Sequence, residues 1–151
     1  MIALVQRVKS CAITNNNAIY TQAGAGLLVY IGIEDNDSGD DINFIVHKII
    51  NLRIFNDKNK KMNYSVSDIN GDIMIVSQFT LCADVNKGLR PSFIKAMPID
   101  EARSTYNILL DKMEKKYKNT YSGIFQADML VDSINDGPVT MIIRSNTVES
   151  N

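Results

Sequence analysis

Apolar and polar positions alternate along this chain in two periods, one suited to strands and one to helices. Residues 2–8 are apolar with Gln6 and Arg7 embedded, and the runs 11–14 and 18–20 flank Asn15-Asn16-Asn17, a polar cluster suited to a hairpin turn. An antiparallel opening is expected. Gly24 and Gly26 lead into Leu27-Leu28-Val29-Tyr30-Ile31; a phosphate-cradling glycine loop leads instead into a helix N-terminus, so no nucleotide site is expected there. Ser38 with Asp41 forms a capping-box-like start, after which Ile42, Ile45, Val46, Ile49 and Ile50 recur on one helical face. From Pro98 onward, Ala102, Tyr106, Leu109, Leu110, Met113 and Tyr117 follow a helical period, with Asp100 and Glu101 at its start and Lys112, Lys115, Lys116 and Lys118 at its end. Those charges complement the helix dipole.

Between the two helices, the turn pair Asn70-Gly71 introduces Ile73-Met74-Ile75-Val76-Ser77-Gln78-Phe79-Thr80-Leu81. Its four apolar residues in a row predict a strand buried on both faces, because a half-exposed strand alternates apolar and polar side chains. The run then turns polar. Ser77, Gln78 and Thr80 put hydroxyl and amide groups at the end of a core strand, where each is either bonded to neighbouring backbone or open to a ligand. The segments 121–125, 129–134 and 138–144 read as strands, and 146–151 as a polar tail. Strands, helix, strand, helix and strands in that order predict one α/β domain over 1–145 with a mixed, largely antiparallel sheet and two main helices.

The length of 151 residues fits a single core. Cys11 and Cys82 lie in strand-like contexts without CxxC spacing, so they read as buried free thiols. No run approaches the ~20 apolar residues of a membrane span, and no leader-like start is visible, which predicts a soluble cytoplasmic protein. Sixteen Lys plus Arg against seventeen Asp plus Glu leave a net charge of −1, unlike a protein that grips nucleic acid by bulk charge. Neither DNA nor a membrane is an expected partner, and any RNA contact is local. The basic loop Lys58-Asn59-Lys60-Lys61 and the lysines near 112–118 are explained by solvation and the dipole, with phosphate contact as the alternative.

Candidate chemistry is sparse. Ser77, Thr80, Ser92 and Thr140 are possible nucleophiles, but a neutral hydroxyl needs a base within hydrogen-bond reach. The sole histidine, His47, falls roughly 130° from the centre of its helix's apolar face at ~100° per residue, which puts it on the surface. Asp84 and Asp136 flank the polar motifs, and carboxylates in solvated turns stay weak bases. No cofactor and no metal site is expected, since no cluster of His, Cys, Asp or Glu is visible. Any hydrolysis at such a site therefore acts on a substrate that is already activated or brings its own catalytic group.

Ser77-Gln78-Phe79-Thr80-Leu81, together with Gly137-Pro138-Val139-Thr140 sixty positions later, resembles the two signature motifs of the D-aminoacyl-tRNA deacylases. The resemblance extends to Val5-Gln6-Arg7-Val8, Gly26-Leu27-Leu28-Val29, Leu52-Arg53-Ile54-Phe55, Lys61-Met62-Asn63 and Arg90-Pro91-Ser92-Phe93. It implies a three-layer fold, a homodimer and hydrolysis of the ester of D-aminoacyl-tRNA, with glycyl-tRNA mischarged on tRNA-Ala as a further substrate. By this resemblance, Phe79 and Thr80 offer backbone N–H groups to the ester carbonyl, and Ser77 and Gln78 hold the strand end and the terminal adenosine. Gly137-Pro138, in a cis conformation and reaching in from the partner subunit, excludes L-residues, with Arg7 supporting it. A dimeric module that only binds the aminoacyl end of tRNA, and a hydrolase with Thr80 as nucleophile, are the rival readings.

Overall fold

In the computed structural model, which describes residues 1–145, the chain opens with antiparallel strands β1 (Ile2–Asn15) and β2 (Ala18–Ala23). Asn16 and Asn17 join them at φ of 50° and 61°, the left-handed pair that a tight hairpin needs and that asparagine tolerates better than most residues. Strand β3 (Gly26–Gly32) pairs antiparallel with the first half of β1. Helix α1 (Gly39–Asn51) follows, its start closed by the reciprocal Ser38–Asp41 capping box and its apolar face buried at Ile42, Ile45, Val46, Ile49 and Ile50. A short hairpin, β4 (Phe55–Asn56) and β5 (Met62–Tyr64), precedes β6 (Asp72–Ser77), which lies parallel to β3. Helix α2 (Ile99–Lys116) then crosses to β7 (Thr120–Ser122), parallel to β6, and β8 (Leu130–Arg144) closes the sheet against β1.

Alternation along the central strands sorts their side chains into two cores. Leu27, Val29, Ile31, Ile73 and Ile75 face the helices and pack with Ile45, Ile49, Tyr106, Leu109 and Met113. Leu28, Met74 and Val76 face the other way and pack with Cys11, Ile13 and Ala23 from the far halves of β1 and β2. The sheet therefore folds over itself, giving helices, central sheet and returning sheet as three layers. Ile73 to Val76 are buried on both faces, as the unbroken apolar run requires. Both cysteines are free and buried, and burial pushes each thiol up to about 11, so neither is an activated nucleophile near neutral pH. Among the described residues, no helix is long and apolar enough to cross a membrane.

Three expectations need correction. The central strand ends at Ser77, and Phe79–Cys82 form a 3₁₀ turn in place of a continued strand. The strand expected over 121–125 is only Thr120–Ser122, and the chain turns further on at Gln126, whose φ is 63°. The two strands expected over 129–134 and 138–144 are one, since β1 is long enough to pair with both halves of β8. The polar tail read at 146–151 lies outside the described residues.

Gly26 is required by contact. A Cβ built there falls 1.9 Å from the Asp72 carbonyl oxygen and 2.6 Å from its nitrogen, at the first rung of the β3–β6 pairing. Gly26→Ala should cost about 3 kcal/mol or more, because backbone cannot yield as a side chain tip can. A urea midpoint close to wild type would show that the strands part without penalty.

Candidate active site

The two parallel crossovers bring the carboxyl ends of β3 and β6 to one edge of the sheet, where open α/β sheets form ligand crevices. Gln78 N–H donates to the Ile31 carbonyl at 2.7 Å, which carries the pairing one residue past Ser77. The chain then tightens: Leu81 N–H donates to the Gln78 carbonyl and Ala83 N–H to that of Thr80, each at 3.2 Å. Among the described residues, the backbone N–H groups of Phe79 and Thr80 have no acceptor. They are the orphan donors that any helical turn leaves at its start. The Gln78 side-chain amide donates to the Thr80 hydroxyl, holding that side chain beside the turn.

Ser77, Gln78 and Phe79 line a cavity of about 620 Å³, within the size range of small-molecule sites. Its walls are mainly apolar, with Phe93, Phe125 and Met129 alongside Ile31 and Val76. Phe79 is 60% exposed and packs its ring on Phe93 at 5.0 Å between centroids. Tyr106 packs its ring on the lining residue Phe125 at 5.6 Å between centroids and donates to the Ile75 carbonyl at 3.2 Å, and burial pushes its phenol up so that it stays a donor. Asp128 is the titratable residue in the lining, and it is exposed.

The remaining hydroxyls and carboxylates lack the contacts of a nucleophile and base. Among the described residues, no side-chain base bonds to Thr80 or Ser77. His47 is exposed on α1 and faces Asn51. Asp84 accepts from the Asn86 backbone N–H and the Asn86 side chain, which hold its carboxyl below the ordinary range and weaken it further as a base.

Gly137-Pro138 is built differently. In the β1–β8 ladder, Gln6 pairs with Thr140 and Val8 with Asn135, so Asp136 to Val139 bulge out opposite Arg7 alone. The Gly137-Pro138 bond is cis, both residues are exposed, and neither lines the cavity of its own chain. Arg7 is only 6% exposed. Its Nε donates to the Asp136 carbonyl at 3.1 Å and lies 3.3 Å from the Asp136 carboxylate, and its Nη1 donates to the Ile54 carbonyl at 2.6 Å. Asn135 closes the bulge, its Oδ1 accepting from Val139 N–H at 3.0 Å and its Nδ2 donating to the Thr140 hydroxyl at 2.9 Å. Thus Ser77, Gln78, Phe79 and Thr80 sit together, while Arg7, Gly137 and Pro138 form a second, separate cluster.

Sequence reasoning did not single out the aromatic walls: Phe93 stood only within the resemblance segment Arg90-Pro91-Ser92-Phe93, and Phe125 only as the end of the strand expected over 121–125. It also missed Gln126, whose left-handed backbone turns the wall.

A family model described as D-Tyr-tRNA(Tyr) deacylase matches residues 4–144. A protein named D-aminoacyl-tRNA deacylase from Flavobacterium psychrophilum is 49% identical over 99% of this chain and 100% of its own. One of the same name from Thermodesulfovibrio yellowstonii is 43% identical over 96% of this chain and 99% of its own. Among solved structures, one described as c-Myc DNA Unwinding Element Binding Protein superposes with a TM-score of 0.91 at 39% identity, covering 95% of this chain and 98% of that one. Another, described as a probable eukaryotic D-amino acid tRNA deacylase, shares the fold at a TM-score of 0.80 and 21% identity over 94% of this chain and 97% of that one. On these matches, spanning nearly its whole length, the chain belongs to the D-Tyr-tRNA(Tyr) deacylase family.

Proposed function

We propose that this protein hydrolyses the ester between a D-amino acid and the terminal adenosine of tRNA, releasing free D-amino acid and tRNA in the cytoplasm. The observation that carries the reading is the pair of unpartnered N–H groups at Phe79 and Thr80, set beside a cavity whose lining offers no histidine. Water adds to the ester carbonyl carbon, and the carbonyl electron pair moves onto oxygen, where the two N–H groups stabilise the charge. Collapse of that adduct breaks the bond to the ribose oxygen, which leaves with a proton. The neighbouring ribose hydroxyl supplies the group that positions and activates the water, a task for which the cavity lining offers no histidine and only the exposed carboxylate of Asp128.

Chirality follows from main chain. A D- and an L-residue exchange hydrogen and side chain at Cα, so fixed carbonyls beside Cα admit one hand and clash with the other. The Asp136–Val139 bulge suits this role because it projects from the fold and is held from behind by Arg7. Since it does not line the cavity of its own chain, it is taken to serve the site of a second subunit in a homodimer. A main-chain probe ignores side-chain identity, and glycine, having no hand, passes it, which extends the substrates to glycyl-tRNA mischarged on tRNA-Ala.

The test is turnover at catalytic enzyme concentration on one tRNA charged with D-Tyr or L-Tyr. D-Tyr-tRNA should be hydrolysed over many turnovers and L-Tyr-tRNA spared. Protection of the D-ester without turnover would instead identify a module that binds the aminoacyl end.

A further inference from the structure

At one side of the cavity, α2 carries Arg103 in its second turn. A cation there opposes the helix dipole, which favours negative charge near the N-terminus. Two other contacts fix it. Its guanidinium lies over the Phe125 ring, 4.8 Å from the centroid, and its Nη2 donates to Gln126 Oε1 at 2.6 Å. Both partners line the cavity.

The second contact settles the direction of the Gln126 amide. Arginine has only donors, so the amide oxygen must face it and the Nε2 hydrogens point away. Among the described residues those hydrogens have no acceptor, and Arg103 makes no ion pair with Asp100, Glu101 or Asp128. Gln126 adopts a left-handed backbone at φ 63°, which a non-glycine residue keeps only when its surroundings hold it there. The result is a preset group of donors beside the cavity. It carries one unneutralised charge and leaves most of a planar guanidinium fork unused. That chemistry matches a phosphodiester oxygen pair.

We propose that Arg103, with Gln126, binds the phosphodiester that joins the terminal adenosine to the preceding nucleotide of the tRNA. Arg103 thereby anchors the single-stranded end as it enters the cavity. The stack on Phe125 orients the guanidinium plane, and Gln126 adds a second donor to the same anion. This rests on the hydrolytic reading above for its substrate, and on the Arg103–Gln126–Phe125 geometry for its site.

The test compares D-Tyr-tRNA with D-tyrosyl-adenosine, which has the same ester but no phosphate. Arg103→Ala should raise KM on the tRNA about tenfold with kcat little changed. Its effect on the phosphate-free ester should be at least fivefold smaller. The dependence of log kcat/KM on log salt should become shallower by about 0.7, the value of one single-strand phosphate contact. Arg103→Lys, which keeps the charge but not the fork, should fall between wild type and Arg103→Ala. Equal losses on both substrates would mean that Arg103 only shapes the wall, and no loss on either would remove it from the site. Binding of the trinucleotide CCA, measured by calorimetry, checks the anchor without hydrolysis. Wild type should bind CCA more tightly than adenosine, and Arg103→Ala should erase most of that difference. Equal wild-type affinities would overturn the anchor. Failure of the wild-type protein to hydrolyse either D-ester would overturn the functional reading, leaving the CCA measurement to decide the anchor.

Discussion

Thr80→Ala should retain most hydrolysis of D-aminoacyl-tRNA, whereas Thr80→Pro should lose it by roughly a hundredfold or more, the usual cost of one oxyanion donor. The two variants separate side chain from main chain. Alanine removes a hydroxyl that only accepts from Gln78 and keeps the N–H. Proline removes the N–H itself. That loss breaks no structural hydrogen bond, because the Thr80 N–H has no acceptor among the described residues and stands near the start of a 3₁₀ turn, where donors are unpaired. Both proteins should therefore fold and bind tRNA, which circular dichroism and a binding titration check. Loss of all turnover in Thr80→Ala would point to a Thr80 nucleophile and a covalent acyl intermediate, and normal turnover in Thr80→Pro would remove the N–H from the reaction.

The contrast also marks how far the sequence could be read. The run Ile73-Met74-Ile75-Val76 announces a strand buried on both faces because nothing in it is polar, and the structure splits its side chains between the two cores. Ser38 with Asp41, and the isoleucine spacing after them, place α1 for equally local reasons. What local pattern cannot carry is tertiary bending. The 3₁₀ turn at Phe79–Cys82 arises beside Gly32, where a Cβ would stand 2.9 Å from Leu81 Cβ and 3.1 Å from Cys82 Sγ. Nothing in the order Phe-Thr-Leu-Cys announces that approach. The same holds for β8, whose bulge at Asp136–Val139 breaks the alternation and reads as two strands until β1 is seen to pair across it. The cavity walls are further from reach, because Phe93 returns to Phe79 through the paired backbone of Asp84 and Ser92, and Phe125 arrives only after the α2 crossover. Motif resemblance supplied Gly137, Pro138 and Arg7 as a set; the hydrogen bonds from Arg7 to Asp136 and Ile54 give the physical reason that they belong together.

Gly137→Ala should lower hydrolysis of D-aminoacyl-tRNA by about ten- to a hundredfold and lower the D-to-L rate ratio with it, the scale expected when a positioning element shifts by about 1 Å. The cause is local. Gly137 has φ of 128°, where L side chains are strained, and a Cβ there would lie 2.7 Å from Val139 Cγ2 and 2.9 Å from Arg7 Nη2. Arg7 is buried and already committed to the Asp136 and Ile54 carbonyls, so relief must come from the bulge. With the bulge moved, the carbonyls proposed to exclude an L-residue no longer face the substrate Cα. The same variant tests which subunit they serve. In the proposed dimer, a Gly137→Ala subunit keeps sound Phe79 and Thr80 donors but lends its partner a displaced probe. A Thr80→Pro subunit has the reverse defect. Random exchange of equal amounts makes half the dimers mixed, each with one complete site, so activity should rise from near zero to about a quarter of wild type. The regained activity should also show the wild-type D-to-L ratio, because each complete site combines an undamaged donor pair with an undamaged probe. If the mixture stays at the level of its parents while exchange is confirmed by mass-labelled subunits, Gly137 acts within its own chain and the crossed site is wrong.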